Sequence, residues 1–171
     1  MILAANLNPA AKIIDIGGGA STLADKLLAE GYRSLTVLDL ASAALEQSKQ
    51  RLGSAAKQVE WIVADITTWQ PQTHYDLWHD RAVFHFLTNP DDRRAYLTTL
   101  KNALQPGATV ILATFALDGP ERCSGLPVQR YSSETLADEL GSEFTLLETT
   151  PEDHHTPSGS VQRFVYCRFT R

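Results

Sequence analysis

An acid and three glycines at the end of an apolar run, Ile13-Ile14-Asp15-Ile16-Gly17-Gly18-Gly19, constrain this chain more than any other feature. Lys12 to Ile16 reads as a buried strand, ended by glycines that let the backbone approach a ligand closely. Ser21 to Glu30 follows as a helix, with Leu23, Leu27 and Leu28 on one face and Gly31 as its stop. A strand, a glycine turn and a helix in that order aim free amides of the helix start at whatever the turn holds. Taken alone, the turn is equally a tight bend that needs positive φ.

The pattern then repeats. Ser34 to Leu38 reads as a second strand ending at Asp39, and Ser42 as the cap of a helix to about Leu52, stopped by Gly53. Val59 to Val63 and Tyr75 to His79 are the third and fourth strands. Asn89 and Pro90 open a helix to about Leu104, and Pro106-Gly107 turns the chain into a fifth strand, Thr109 to Thr114. Such alternation predicts parallel strands joined by right-handed helical crossovers. The last third differs: a long loop from Ala116 to Arg130, a helix from Ser132 to Leu140, then strands at Phe144 to Thr149 and Gln162 to Phe169. With no helix between them, those two strands should pair antiparallel. The polar connection between them contains Asp153-His154-His155 and Pro157-Ser158-Gly159. Adjacent histidines on extended chain point to opposite faces, so a polar connection is the reading here and no metal site is expected.

Two further acids sharpen the glycine turn. Asp39 ends the second strand, where a carboxylate can accept both hydroxyls of a ribose, and Asp65 follows the third, where it can hold an adenine amino group. The dinucleotide fingerprint requires a third glycine or alanine where this chain has Thr22. Asp15 also puts negative charge before the glycines, which suits a cationic sulfonium cofactor better than a pyrophosphate.

These residues resemble class I S-adenosylmethionine-dependent methyltransferases over almost the whole chain. The family's acid-x-G-x-G motif is matched by Asp15, Gly17, Gly18 and Gly19, its ribose-binding acid by Asp39 with Leu40 beside it, and its adenine-contacting acid by Asp65, with Ile66 on the ring. The fourth motif is matched by Tyr75 to Asp80, followed by a helix entry at Val83 to Leu87; Leu104 to Ala108 resembles the L-x-P-G-G turn. The resemblance implies S-adenosylmethionine as cofactor, with His79 of the fourth motif added to the residues that bind it. It also implies an α/β Rossmann-like sheet, mostly parallel, in the order 3-2-1-4-5-7-6 with the last strand antiparallel. The family usually carries helices before the first strand, whereas Met1 to Ala11 precede it here. The expectation is one minimal or truncated domain over 1–171 with an open cleft, binding its cofactor weakly or as a homodimer that covers the cleft. A binding domain of the same fold that transfers no methyl group is the alternative.

Methyl transfer needs positioning and sometimes a base. His79, Asp80, Arg81 and His85 crowd the end of the fourth strand. His79 and His85 are candidate bases, and Arg81 a clamp for a carboxylate of substrate or cofactor. The plainer reading makes Asp80 and Arg81 a structural ion pair and packs His85 at the helix start. The loop from Asp118 to Pro127 follows the fifth strand and is long enough to cover an acceptor. A net charge of −5 without a basic cluster argues against nucleic acid and leaves a small molecule, or second a protein side chain, as acceptor. Two cysteines without metal spacing suit a reducing cytoplasm, and no run approaches the roughly eighteen apolar residues of a membrane span.

Overall fold

In the computed structural model, which describes residues 1–156 and 159–171, the alternation closes into one seven-stranded sheet. In chain order the elements are β1 (Lys12–Ile16), α1 (Leu23–Ala29), β2 (Ser34–Asp39), α2 (Ser42–Leu52), β3 (Val59–Val63), β4 (Tyr75–Arg81), α3 (Pro90–Ala103) and β5 (Leu104–Phe115). A small hairpin follows, β6 (Arg122–Cys123) and β7 (Leu126–Pro127), then α4 (Ser133–Leu140), β8 (Thr145–His155) and β9 (Val161–Thr170). The sheet order is β3-β2-β1-β4-β5-β9-β8, with β9 antiparallel to both neighbours. This is the expected topology; the numbering moves by two because the hairpin adds two short strands.

The sheet buries both faces, as the continuous apolar runs of parallel strands require. Ile14, Ile16, Trp78, Val110 and Leu112 pack under α3 and α4 with Tyr96, Leu100, Leu136 and Leu140. Ile13, Leu35, Val37, Leu77 and Ile111 face the other way, against Leu27 of α1 and Leu45 of α2, and Met1, Ile2 and Leu7 pack on this second cluster. Successive side chains of a strand point to opposite faces. In β4 this sends Leu77, His79 and Arg81 to the α1–α2 side, and Trp78 and Asp80 to the α3–α4 side.

Several local expectations shift. Ser21 is not helical: its amide donates to the Gly18 carbonyl at 2.7 Å in a turn that delays α1 to Leu23. Ala41, not Ser42, occupies the cap of α2, and Asp39 Oδ1 accepts the Ala41 amide at 2.7 Å. Asn89 does cap α3, accepting from the Asp91 amide. The helix entry after β4 is a single 3-10 turn, Phe84–Phe86, separate from α3. Pro106-Gly107 lies within β5 as an irregularity rather than before it, where Gly107 takes φ +90° and the pairing jumps from Tyr75–Leu104 to Leu77–Thr109. In the loop after β5, Ser124 and Gly125 take φ of 49° and 81°. That is the signature of a two-residue type I′ turn, whose twist suits a tight hairpin. Asp153-His154-His155 is strand rather than connection, paired with Arg163, Gln162 and Val161 across β8 and β9. Pro157 and Ser158 of the connection lie outside the described residues.

Candidate functional site

A cleft of about 550 Å³ opens at the carboxyl ends of β1 to β4. Of the residues singled out in the sequence, Gly17, Asp39, Leu40, Asp65, Ile66 and Arg81 line it. The first five come from three adjacent strand ends, which is where open α/β sheets bind ligands.

Of the three glycines only Gly17 lines the cleft; Gly18 and Gly19 are not among the lining residues, and each packs tightly against a neighbour. Gly17 sits at φ +67° and donates its amide to the Leu38 carbonyl at 2.7 Å, stitching β1 to β2. A Cβ built on it runs into the Val83 side chain. A Cβ on Gly18 would stand 2.5 Å from Asp15 Oδ2 and 2.6 Å from Val37 Cγ1, and one on Gly19 2.7 Å from Asp39 Oδ2. Asp65 Oδ1 accepts from the Thr67 amide at 2.8 Å and its hydroxyl at 2.7 Å, which fixes the exposed carboxylate at the rim. At the mouth, Leu40 and Leu126 remain 71% and 59% exposed.

Asp15 and His79 lie beneath the cleft floor, not in its lining. They are register partners on β1 and β4, both buried, and His79 Nδ1 donates to Asp15 Oδ1 at 2.7 Å. His79 lines a second cavity, of about 400 Å³, on the α1–α2 side of the sheet.

The expected Asp80–Arg81 ion pair does not form, because neighbours on a strand face opposite ways. Arg81 donates from Nε to the Tyr166 hydroxyl at 2.7 Å, approaches Glu152 at 3.7 Å and stacks its Cζ 4.6 Å from the Phe164 ring. Asp80 is fully buried and accepts from the amides of Val83 at 2.8 Å and Phe84 at 3.1 Å and from the Tyr96 hydroxyl at 2.6 Å. Trp78 Nε1 donates in turn to that hydroxyl at 2.8 Å. Desolvation of its carboxylate lifts the Asp80 pKa to about 6.

His85 is fully buried among Phe86, Phe115 and Phe164, with Phe115 donating its amide to Nδ1 at 3.3 Å. It is not among the residues lining the cleft. Burial, then the nearby Arg81 charge, pull its pKa down to about 4. The unfolded chain therefore takes up a proton near pH 6.5 that the folded protein refuses. The stability this contributes is complete above pH 6.5 and disappears as pH falls toward 4. His85→Asn keeps an acceptor for the Phe115 amide but cannot titrate. Relative to wild type it should gain up to about 3 kcal/mol between pH 7 and pH 4, measured by urea unfolding at both. Parallel losses in the two proteins would show that His85 does not titrate this way.

The loop from Asp118 to Pro127, expected to cover an acceptor, does bring Leu126 to the cleft; Phe86 and Leu87, read from the sequence only as part of the helix entry, are further walls. Glu152 and Tyr166 reach Arg81 only through the register of β8 and β9, which leaves no local trace.

A doubly wound sheet with a glycine turn and two strand-end acids around one cleft defines a nucleotide-binding α/β domain. Residues 13–107 match the model of the methyltransferase domain family, and the chain belongs to that family. It is 37% identical over 98 residues to malonyl-[acyl-carrier protein] O-methyltransferase of Anoxybacillus flavithermus, covering 56% of this chain and 37% of that protein. The chain thus spans only about 40% or less of the length of the curated malonyl-[acyl-carrier protein] relatives it matches. Two solved structures share the fold. A methyltransferase from Methanosarcina mazei superimposes with a TM-score of 0.79 at 16% identity, over 99% of this chain and 96% of that one. The 1,6-didemethyltoxoflavin-N1-methyltransferase of Burkholderia thailandensis, bound to 1,6-didemethyltoxoflavin and S-adenosylhomocysteine, does so with a TM-score of 0.76 at 22% identity, over 99% and 75%.

Proposed function

We propose that this domain binds S-adenosylmethionine in the cleft and transfers its methyl group to a small molecule in the cytoplasm. The observation that carries this is the meeting of Gly17, Asp39 and Asp65 around one apolar-walled cleft. The residues fit the cofactor: a floor kept free of a side chain at Gly17, a carboxylate for ribose hydroxyls at Asp39, and one for an adenine amino group at Asp65. Leu40 and Ile66 would sandwich the base. Arg81, fixed by Tyr166 and Phe164, would hold the amino-acid carboxylate. Bound there, the cofactor supplies an electrophilic methyl on a sulfonium. Phe86, Leu87 and Leu126 would exclude water from that end of the cleft. The net charge of −5 and the two free thiols, one buried and one half-buried, support the small-molecule and cytoplasmic parts of the reading.

Calorimetry with S-adenosylhomocysteine tests the site directly. Asp39→Asn keeps an acceptor for the Ala41 amide while removing the charge that faces the ribose. Losing charge-assisted hydrogen bonds of about 1.5–3 kcal/mol should weaken binding roughly ten- to hundredfold with the fold intact. Unchanged affinity, or equal stabilisation of the wild type by NAD in a thermal melt, would defeat the assignment.

A further inference from the structure

The sheet order divides the cleft into two halves. Gly17, Asp39, Leu40, Asp65 and Ile66 come from the ends of β1, β2 and β3. Phe86, Leu87 and Asp92 follow β4, and Leu126 follows β5. Because β1 stands between β2 and β4, a nucleoside held by Asp39 and Asp65 lies over the β2–β3 half. The half beyond β4 is left for the molecule that receives the methyl group.

Asp92 is the charged side chain of that second half which the cofactor does not use. The three carboxylates of the lining differ in what holds them. Asp39 accepts the Ala41 amide at 2.7 Å, and Asp65 the amide and hydroxyl of Thr67 at 2.8 and 2.7 Å. Along α3, Asp91 pairs with Arg94 and Arg93 with Glu139. The exposed Asp92 carboxylate has no hydrogen-bond or ion-pair partner among the described residues, yet it lines the cleft. Acids in the first turn of a helix have an ordinary cause in the helix dipole, and Asp91 and Asp92 share that cause. Its place in the cleft wall is a separate property, and Asp91 lacks it.

Polarity then selects the guest. An apolar wall of Phe86, Leu87 and Leu126 with one carboxylate in the same lining suits an apolar molecule that carries a single positive charge. Resting on the methyl-transfer reading above, we propose that the half of the cleft beyond β4 is the acceptor subsite, that it takes a lipophilic amine in its ammonium form, and that Asp92 sets this specificity. The ammonium donates to the Asp92 carboxylate, and the hydrocarbon part covers Phe86, Leu87 and Leu126. Neither contact uses Asp39 or Asp65, so acceptor and nucleoside are held by separate groups. An anionic molecule of the same shape meets a like charge at Asp92. The carboxylate stays open to water, so the preference is modest and is screened by salt.

The probe is 2-phenylethylammonium, with 2-phenylethanol and 3-phenylpropionate as neutral and anionic controls. Each is titrated by calorimetry into protein saturated with S-adenosylhomocysteine and followed through the methyl signals of Leu87 and Leu126. At low ionic strength the ammonium should bind at least about threefold more tightly than the alcohol, and the propionate more weakly than both. About 1 M salt should narrow the gap. Asp92→Asn should remove the advantage of the ammonium, with S-adenosylhomocysteine bound within about twofold of wild type. Leu126→Ala should weaken all three probes alike, because it removes wall and no charge. Suppose S-adenosylhomocysteine binds wild type, but no probe binds, all three bind equally, or the propionate binds best. The amine subsite is then refuted while the methyltransferase reading stands, and the same holds if Asp92→Asn weakens S-adenosylhomocysteine itself. If S-adenosylhomocysteine does not bind wild type, both fall.

Discussion

Gly17→Ala is expected to abolish binding of S-adenosylhomocysteine, at least a hundredfold loss by calorimetry, and to lower the melting temperature by about 5–15 °C. Two costs combine. An alanine at φ +67° occupies the left-handed region, at about 1–2 kcal/mol, and its methyl group drives into Val83, at about 1–3 kcal/mol of overpacking. Val83 cannot retreat freely, because Asp80 Oδ1 holds its amide at 2.8 Å. The displacement falls on the cleft floor itself, so affinity suffers with stability. Gly31→Ala provides the control: its φ is +94°, and nothing lies within 4 Å of an added Cβ. That variant should show the backbone cost alone and bind normally. Wild-type affinity in Gly17→Ala would mean that the cleft is not where the cofactor sits.

Asp80→Ala should be similarly severe for stability, through a different mechanism. It strands the Phe84 amide and the Tyr96 hydroxyl in a fully buried site and the Val83 amide at its half-buried edge, three donors at about 1–3 kcal/mol each when buried. Urea unfolding should show a loss of at least about 3 kcal/mol. The penalty should also depend on pH. With its folded pKa raised to about 6 from 3.8, Asp80 keeps a proton that the unfolded chain has already released. Its contribution is therefore complete below about pH 4 and declines as pH rises through 6. The penalty in Asp80→Ala should be greater at pH 4.5 than at pH 7.5; the reverse order would contradict the raised pKa. His85 acts in the opposite sense across nearly the same interval. In wild type the two slopes largely offset, and each single variant exposes the other.

The parts of the site that were legible in the sequence are those each strand end carries alone. Gly17, Asp39 and Asp65 announce themselves by position, since a glycine turn or an acid after a β run has a local cause. Alternation gave the parallel strands, and the two final strands lacking a helix between them gave the antiparallel pair; the sheet order came from the family resemblance. What failed needed geometry across strands. Asp80 and Arg81 looked like an ion pair because they are neighbours in sequence, yet the pleat separates them by the full thickness of the sheet. The Asp15–His79 pair depends on the register of β1 against β4, and the Arg81–Tyr166 contact on that of β9 against β5, neither of which leaves a mark on a short window of residues. Pro106-Gly107 carried a true turn signal, but β5 absorbed it as an irregularity because Leu104 could still pair with Tyr75.

The outer strand β8 has one further consequence, for how the protein behaves in a crowded solution. An open sheet offers unpaired amides and carbonyls at its margins, a template for growth by further copies. Here one margin is β8, which carries Glu148, Pro151, Glu152 and Asp153 along its length; Pro151 lacks an amide, and the acids repel an identical strand. The other margin, β3, is five residues long and carries Glu60. Both edges thus discourage strand-by-strand aggregation, and encounters between copies are turned away from sheet extension.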